Sequence, residues 1–98
     1  MNEEKISLSV VIRHATGLHA RPAVKFTKLA KTFASTDIKI RGSDEAPWID
    51  AKSIVKVMAL KLRSGTVMQL EAEGADADAA ATALKSLVER NFDESAEG

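Results

Sequence analysis

His19 and Arg21 stand two residues apart in the run Gly17-Leu18-His19-Ala20-Arg21-Pro22-Ala23, and residues of these types at this spacing could accept and steady a phosphoryl group. An imidazole titrates near a pKa of about 6.5, so at neutral pH the ring is largely uncharged and nucleophilic, and it is a good leaving group once phosphorylated. A guanidinium beside it supplies a charge-assisted counter-ion for the added anion. The chemistry needs that pair to be held at a point rich in backbone donors.

The flanking residues supply such a point. Pro22 is tolerated in the first turn of a helix, and Ala23, Phe26, Leu29, Ala30 and Phe33 then follow at helical spacing, which predicts a helix from about Ala20 to Phe33 with His19 at its N-terminus. Unpartnered amides and the positive end of the helix dipole collect at such a terminus. Before it, Ile6, Leu8, Val10 and Ile12 alternate with Ser7, Ser9, Val11 and Arg13 as a half-buried strand, and Ala15-Thr16-Gly17-Leu18 reads as a turn. His14 is expected to face solvent at the strand end.

Downstream, Ile38 and Ile40 around Lys39 predict a second strand, and Trp48-Ile49-Asp50 a third after the irregular Gly42–Pro47 stretch. From Ala51, Ile54, Val57, Met58 and Leu62 follow helical steps until Ser64-Gly65. Met68, Leu70 and Ala72 alternate as a fourth strand ending at Gly74, and Asp76 is placed to cap a last helix with a core stripe of Ala77, Ala80, Leu84, Leu87 and Val88. The order strand, helix, strand, strand, helix, strand, helix implies an α+β two-layer sandwich with a mainly antiparallel sheet. Its open face would carry Ser7, Ser9, Lys39, Arg41, Gln69 and Glu71. Residues 1–92 are expected to form one domain and the acidic Asp93–Gly98 stretch to fray.

Composition agrees with a single ordinary domain: 98 residues, 45% hydrophobic and 29% charged. There is no cysteine and there are only two histidines, so neither a disulfide framework nor a metal site is expected, and no cofactor. The opening Met-Asn-Glu-Glu-Lys does not read as a signal peptide and no run reaches membrane-spanning length, so membrane insertion is not expected and a cytoplasmic location is. A monomer is expected. The net charge is zero, yet residues 1–41 carry eight Lys or Arg against three Asp or Glu, while residues 42–98 carry six against eleven. A zero total argues against nucleic-acid binding. Arg21, Lys25, Lys28 and Lys31 share one stripe of the first helix, either a solvated face or a docking surface for acidic partners.

The Gly17–Ala23 motif resembles the phosphorylation site of HPr, the histidine-containing phosphocarrier of the bacterial phosphoenolpyruvate-dependent sugar phosphotransferase system. The resemblance continues through Ala51-Lys52-Ser53-Ile54, Val57-Met58, Ser64-Gly65-Thr66 and Glu71-Ala72-Glu73-Gly74-Ala75-Asp76, covering about Ile6 to Val88. It implies an open-faced sandwich of four antiparallel strands and three helices. It also implies that His19 is phosphorylated at Nδ1 by Enzyme I and passes the group to an Enzyme IIA, with Arg21 steadying the phosphoryl group. Ala20, Lys25, Lys28 and the apolar Ile54, Val55 and Met58 would form the partner-docking surface; on pattern alone, Ile54 and Met58 fit core equally well.

Ser53 lies where some relatives carry a serine modified by an HPr kinase/phosphorylase, and it also suits a plain helix cap. Val55-Lys56 stand where Met-Gly is often found, and the Asn91-Phe92-Asp93-Glu94 ending resembles the nitrogen-related branch. Two other readings compete with a carrier. One is a regulatory binding module controlled by its phosphorylation state. The other is a small phosphatase of the acylphosphatase type, which would need a group to position water near His19, and no Asn or acid stands close by.

Overall fold

Alternating apolar residues build the sheet of the computed structural model, which describes residues 4–93. Strand β1 (Glu4–Val11) leads to helix α1 (Ala20–Lys31), then β2 (Thr36–Arg41), the two-residue β3 (Ile49–Asp50), α2 (Ile54–Ala59), β4 (Val67–Gly74) and α3 (Ala77–Glu89). A short 3-10 turn at Asn91–Asp93 follows. The four strands form one antiparallel sheet in the order β1-β4-β2-β3. The α+β sandwich and its element order are as the sequence implies.

Register puts Leu8 opposite Leu70 and Ile6 opposite Ala72, while Ile40 and Ile38 meet Leu70 and Ala72 from the other side. One face therefore collects the apolar residues of three strands, and the helices cover it. Phe26 of α1, Val57 of α2, and Leu84 and Val88 of α3 are fully buried against Ile38, Ile40, Met68 and Leu70. Full burial of such a side chain contributes about 1.5–3 kcal/mol, so this layer dominates the favourable side of folding. The opposite face carries exposed Ser7, Ser9 and Lys39 and half-buried Arg41, Gln69 and Glu71. On it, Arg41 Nε donates to Gln69 Oε1 at 2.7 Å.

Several local expectations change. The third strand excludes Trp48, whose ring lies 4.2 Å from the Arg41 guanidinium carbon in a cation–π stack instead of pairing in the sheet. Helix α1 stops before Thr32 and Phe33, where the Thr32 hydroxyl donates to Leu29 O at 2.6 Å. Helix α2 stops before Leu62, because Lys61 has a φ of 52°, in the left-handed region. Leu62 still reaches the core, but from the following loop.

Asp76 takes the cap position of α3 without a side-chain cap bond; its own N–H donates to the buried Thr36 hydroxyl at 3.2 Å. His14 is buried rather than facing solvent. Thr16 approaches its Nδ1 with both N–H and hydroxyl, at 3.2 and 3.0 Å, and its ring meets Phe92 edge to face at 6.1 Å. Phe92 itself is fully buried by three successive left-handed residues, Asn91 to Asp93, that turn the chain inward. Asp93, expected to fray, is held by Arg90 through a 2.8 Å bond from Nε; residues 94–98 of that expected tail lie outside the described residues.

Candidate functional site: an exposed histidine on a braced loop

Extended backbone at His19 (φ −144°, ψ 160°) ends the approach to α1, and its side chain makes no capping hydrogen bond with the helix. The residue is exposed. Ala20 follows with a φ of 51°, in the left-handed region, so the chain turns sharply between the imidazole and the exposed Arg21. Pro22 and Ala23 are buried and seat the first turn on the core. Helix geometry directs the first-turn amides toward the His19 end.

The loop before His19 is stitched to the loop after α2. Leu18 N–H donates to Leu62 O at 2.8 Å, Ile12 N–H to Thr66 O at 2.9 Å and Gly65 N–H to Ile12 O at 2.7 Å. Gly17 has a φ of 73°, and a β-carbon there would lie 2.2 Å from Leu62 O, so only glycine allows this approach. Leu18, fully buried, anchors the residue before the imidazole. A cavity of about 360 Å³ opens beside His19, lined by Thr16, His19, Lys61, Leu62 and Arg63. Spacing along the chain could not reveal Lys61 and Arg63 as neighbours of His19, since only the stitching of two distant loops makes them so.

The other candidate residues are distributed around this centre. Arg21, Ile54, Val55 and Met58 do not line the cavity. Val55 is 75% exposed, whereas Ile54 and Met58 are half-buried against the core, so Val55 is the large apolar side chain that α2 presents to solvent. Ser53 caps α2, its Oγ accepting from Lys56 N–H at 3.2 Å. On α1, Lys28 is exposed, while Lys25 is half-buried and its Nζ donates to Phe92 O at 2.8 Å. Lys28 and Lys31 also occupy the last turn of α1, where cations complement the helix dipole.

Among the described residues no group of three or more His, Cys, Asp or Glu could hold a metal ion, and no helix is long and apolar enough to cross a membrane. Away from this cavity, the titration of the Asp93 carboxyl is displaced. The hydrogen bond from Arg90 lowers it below the ordinary carboxylate range, and the same bond raises Arg90.

Comparison with known proteins identifies the arrangement. The family described as the PTS HPr component phosphorylation site is matched over residues 6–90. The phosphocarrier protein HPr of Pseudomonas aeruginosa is 36% identical over 88 residues, 90% of this chain and 96% of the relative. The phosphocarrier protein NPr of Proteus mirabilis is also 36% identical, over 85 residues, 87% of this chain and 92% of the relative. A longer relative, the phosphoryl donor subunit DhaM of the PEP-dependent dihydroxyacetone kinase of Providencia stuartii, is 33% identical across 93% of this chain, which spans only 18% of its length. Among solved structures, HPr-C-His from Thermoanaerobacter tengcongensis superposes with a TM-score of 0.83 at 38% identity, covering 92% of this chain and 98% of that one. With a histidine at the start of α1 and a family match running from within β1 to the end of α3, the chain belongs to the HPr family of phosphotransferase-system phosphocarrier proteins.

Proposed function

We propose that this protein accepts a phosphoryl group on Nδ1 of His19 from phospho-Enzyme I and donates it to an Enzyme IIA protein or domain. The observation that carries the reading is an exposed imidazole, uncommitted to capping, at the start of a helix whose preceding loop is braced by backbone hydrogen bonds. In the transfer, the bond from phosphorus to the donor atom breaks and its electron pair leaves with the donor. A ring-nitrogen lone pair of His19 forms the new N–P bond, and the reverse exchange passes the group to the acceptor. No oxidant, metal or further co-reactant enters the balance.

Arg21 supplies a counter-ion to the phosphoryl group, and Val55 with Lys28 contributes apolar and cationic contact to acidic partners. The bond from Lys25 to Phe92 O shares that cation with the fold, so Lys28 is the cleaner probe of docking. Ser53 is read as a cap, on the strength of its bond to Lys56 N–H; modification by an HPr kinase/phosphorylase would add negative charge at the start of α2.

Incubation with Enzyme I and labelled phosphoenolpyruvate should give an acid-labile, alkali-stable label on the wild type and none on His19→Ala, with both proteins folded. An unlabelled wild type would remove the reading. Arg21→Glu should impair transfer in both directions, since the phosphoryl anion would meet a like charge. A regulatory output is a second reading, favoured by similarity to NPr and to the catabolite-repression protein Crh of Bacillus subtilis, 34% identical with a TM-score of 0.66. It requires a target protein whose binding changes when His19 is phosphorylated.

A further inference from the structure

We propose that Lys61 and Arg63 form a second cationic arm of the phosphoryl site, gripping the transferred group from the side opposite the helix. The proposal rests on the carrier reading of His19 and adds to it two residues that neither the motif nor the spacing around His19 contains. Both line the cavity of about 360 Å³ that opens at the imidazole, alongside Thr16 and Leu62. Their position is fixed by the bonds joining the two loops, from Leu18 N–H to Leu62 O and from Gly65 N–H to Ile12 O. At Gly17 the two loops lie so close that a β-carbon would stand 2.2 Å from Leu62 O and 3.0 Å from Arg63 Cα.

Charge and conformation point the same way. Lys61 and Arg63 are exposed, and among the described residues neither has an ion-pair partner, so both cations are available to an incoming anion. Lys61 also holds a φ of 52°, a conformation that costs a lysine and that glycine adopts without strain. Backbone strain of this kind clusters at functional sites. An ammonium and a guanidinium bordering the cavity at a nucleophilic ring are suited to the dianionic oxygens of a phosphoryl group, with Arg63 able to offer two parallel N–H donors.

The test compares wild type, Arg63→Gln, Arg63→Lys and Lys61→Gly, each confirmed folded by circular dichroism. Two quantities are read: the equilibrium of phosphoryl exchange with Enzyme I, and the phosphorus-31 titration of the phosphoryl group on His19. Loss of Arg63 should shift the exchange equilibrium away from the phosphorylated carrier by about tenfold, and loss of the Lys61 charge by about threefold. In both variants the dianionic phosphoryl group should take up a proton to become the monoanion at higher pH than in the wild type, because its dianion has lost a counter-ion. Arg63→Lys should recover part of each effect, and high salt should narrow every difference. Lys61→Gly should also raise the melting temperature while weakening the hold on the phosphoryl group, which a purely structural role would not do. If the wild type is labelled on His19 and all four proteins share one equilibrium and one phosphorus titration, the second arm is refuted and the carrier reading stands. If the wild type takes no label, both fall together.

Discussion

Replacing Gly17 by alanine should cost the fold about 2–5 kcal/mol and disturb the support beneath His19. At a φ of 73° a β-carbon costs about 1–2 kcal/mol for the left-handed conformation alone. That carbon would also stand 2.2 Å from Leu62 O and 3.0 Å from Arg63 Cα, backbone atoms that cannot swing aside as a side chain would. Reaching ordinary contact at 3.4 Å requires a displacement of more than an ångström, opposed by the bond from Leu18 N–H to the same carbonyl. Overpacking of this kind costs about 1–3 kcal/mol. With a urea m value of about 1 kcal/mol/M for a chain of this size, the unfolding midpoint should fall by about 2–5 M. Gly65→Ala is the control: its φ of 91° is equally unfavourable, but nothing lies within 4 Å of the added carbon. It should lose only the conformational part, about 1–2 kcal/mol. Equal midpoints for the two variants would refute the claim that the Leu62 carbonyl, over and above the backbone angle, dictates glycine at position 17.

Further expectations concern other parts of the scaffold. Lys52→Met removes a half-buried ammonium that donates to Phe33 O at 2.8 Å and Thr36 O at 2.7 Å, and chemical denaturation should show a loss of about 2 kcal/mol. Ala20→Gly relieves a φ of 51° beside the imidazole and should raise stability by about 1 kcal/mol; a lower melting temperature would show that the backbone there is unstrained. Because Arg90 lowers the Asp93 carboxyl in the folded protein, that ion pair stabilises the fold at pH values above the unfolded carboxylate pKa. The contribution disappears as pH falls through the depressed folded value. Carbon-13 titration of the Asp93 carboxyl should show the shift, and Arg90→Gln should move it upward.

Period and punctuation made most of the architecture legible. The alternation of Ile6, Leu8 and Val10, the matching run Met68-Leu70-Ala72 and the stripe ending in Leu87 and Val88 each follow from local geometry, and each element forms where the pattern implies. Patterns fail where a distant contact decides. Trp48 is drawn out of the third strand by Arg41, Leu62 reaches the core from a loop, and His14 is enclosed because Phe92 returns to it from the far end of the chain. The same limit applies at the site. His19 could be placed at a helix start from Pro22 and the residues after it, but Lys61 and Arg63 became its neighbours only through pairing between two loops.

The stitching of those loops has a kinetic corollary. On the carrier reading proposed for His19, a nucleophile standing on a pre-tied platform needs no hinge to swing before it can react, so each encounter meets the same ready geometry. Turnover is then governed by how often partners collide in the right orientation, and the burden of discrimination shifts to whoever docks. The shuttle proposed here, meeting unlike donors and acceptors in alternation, would gain from offering both the identical handle.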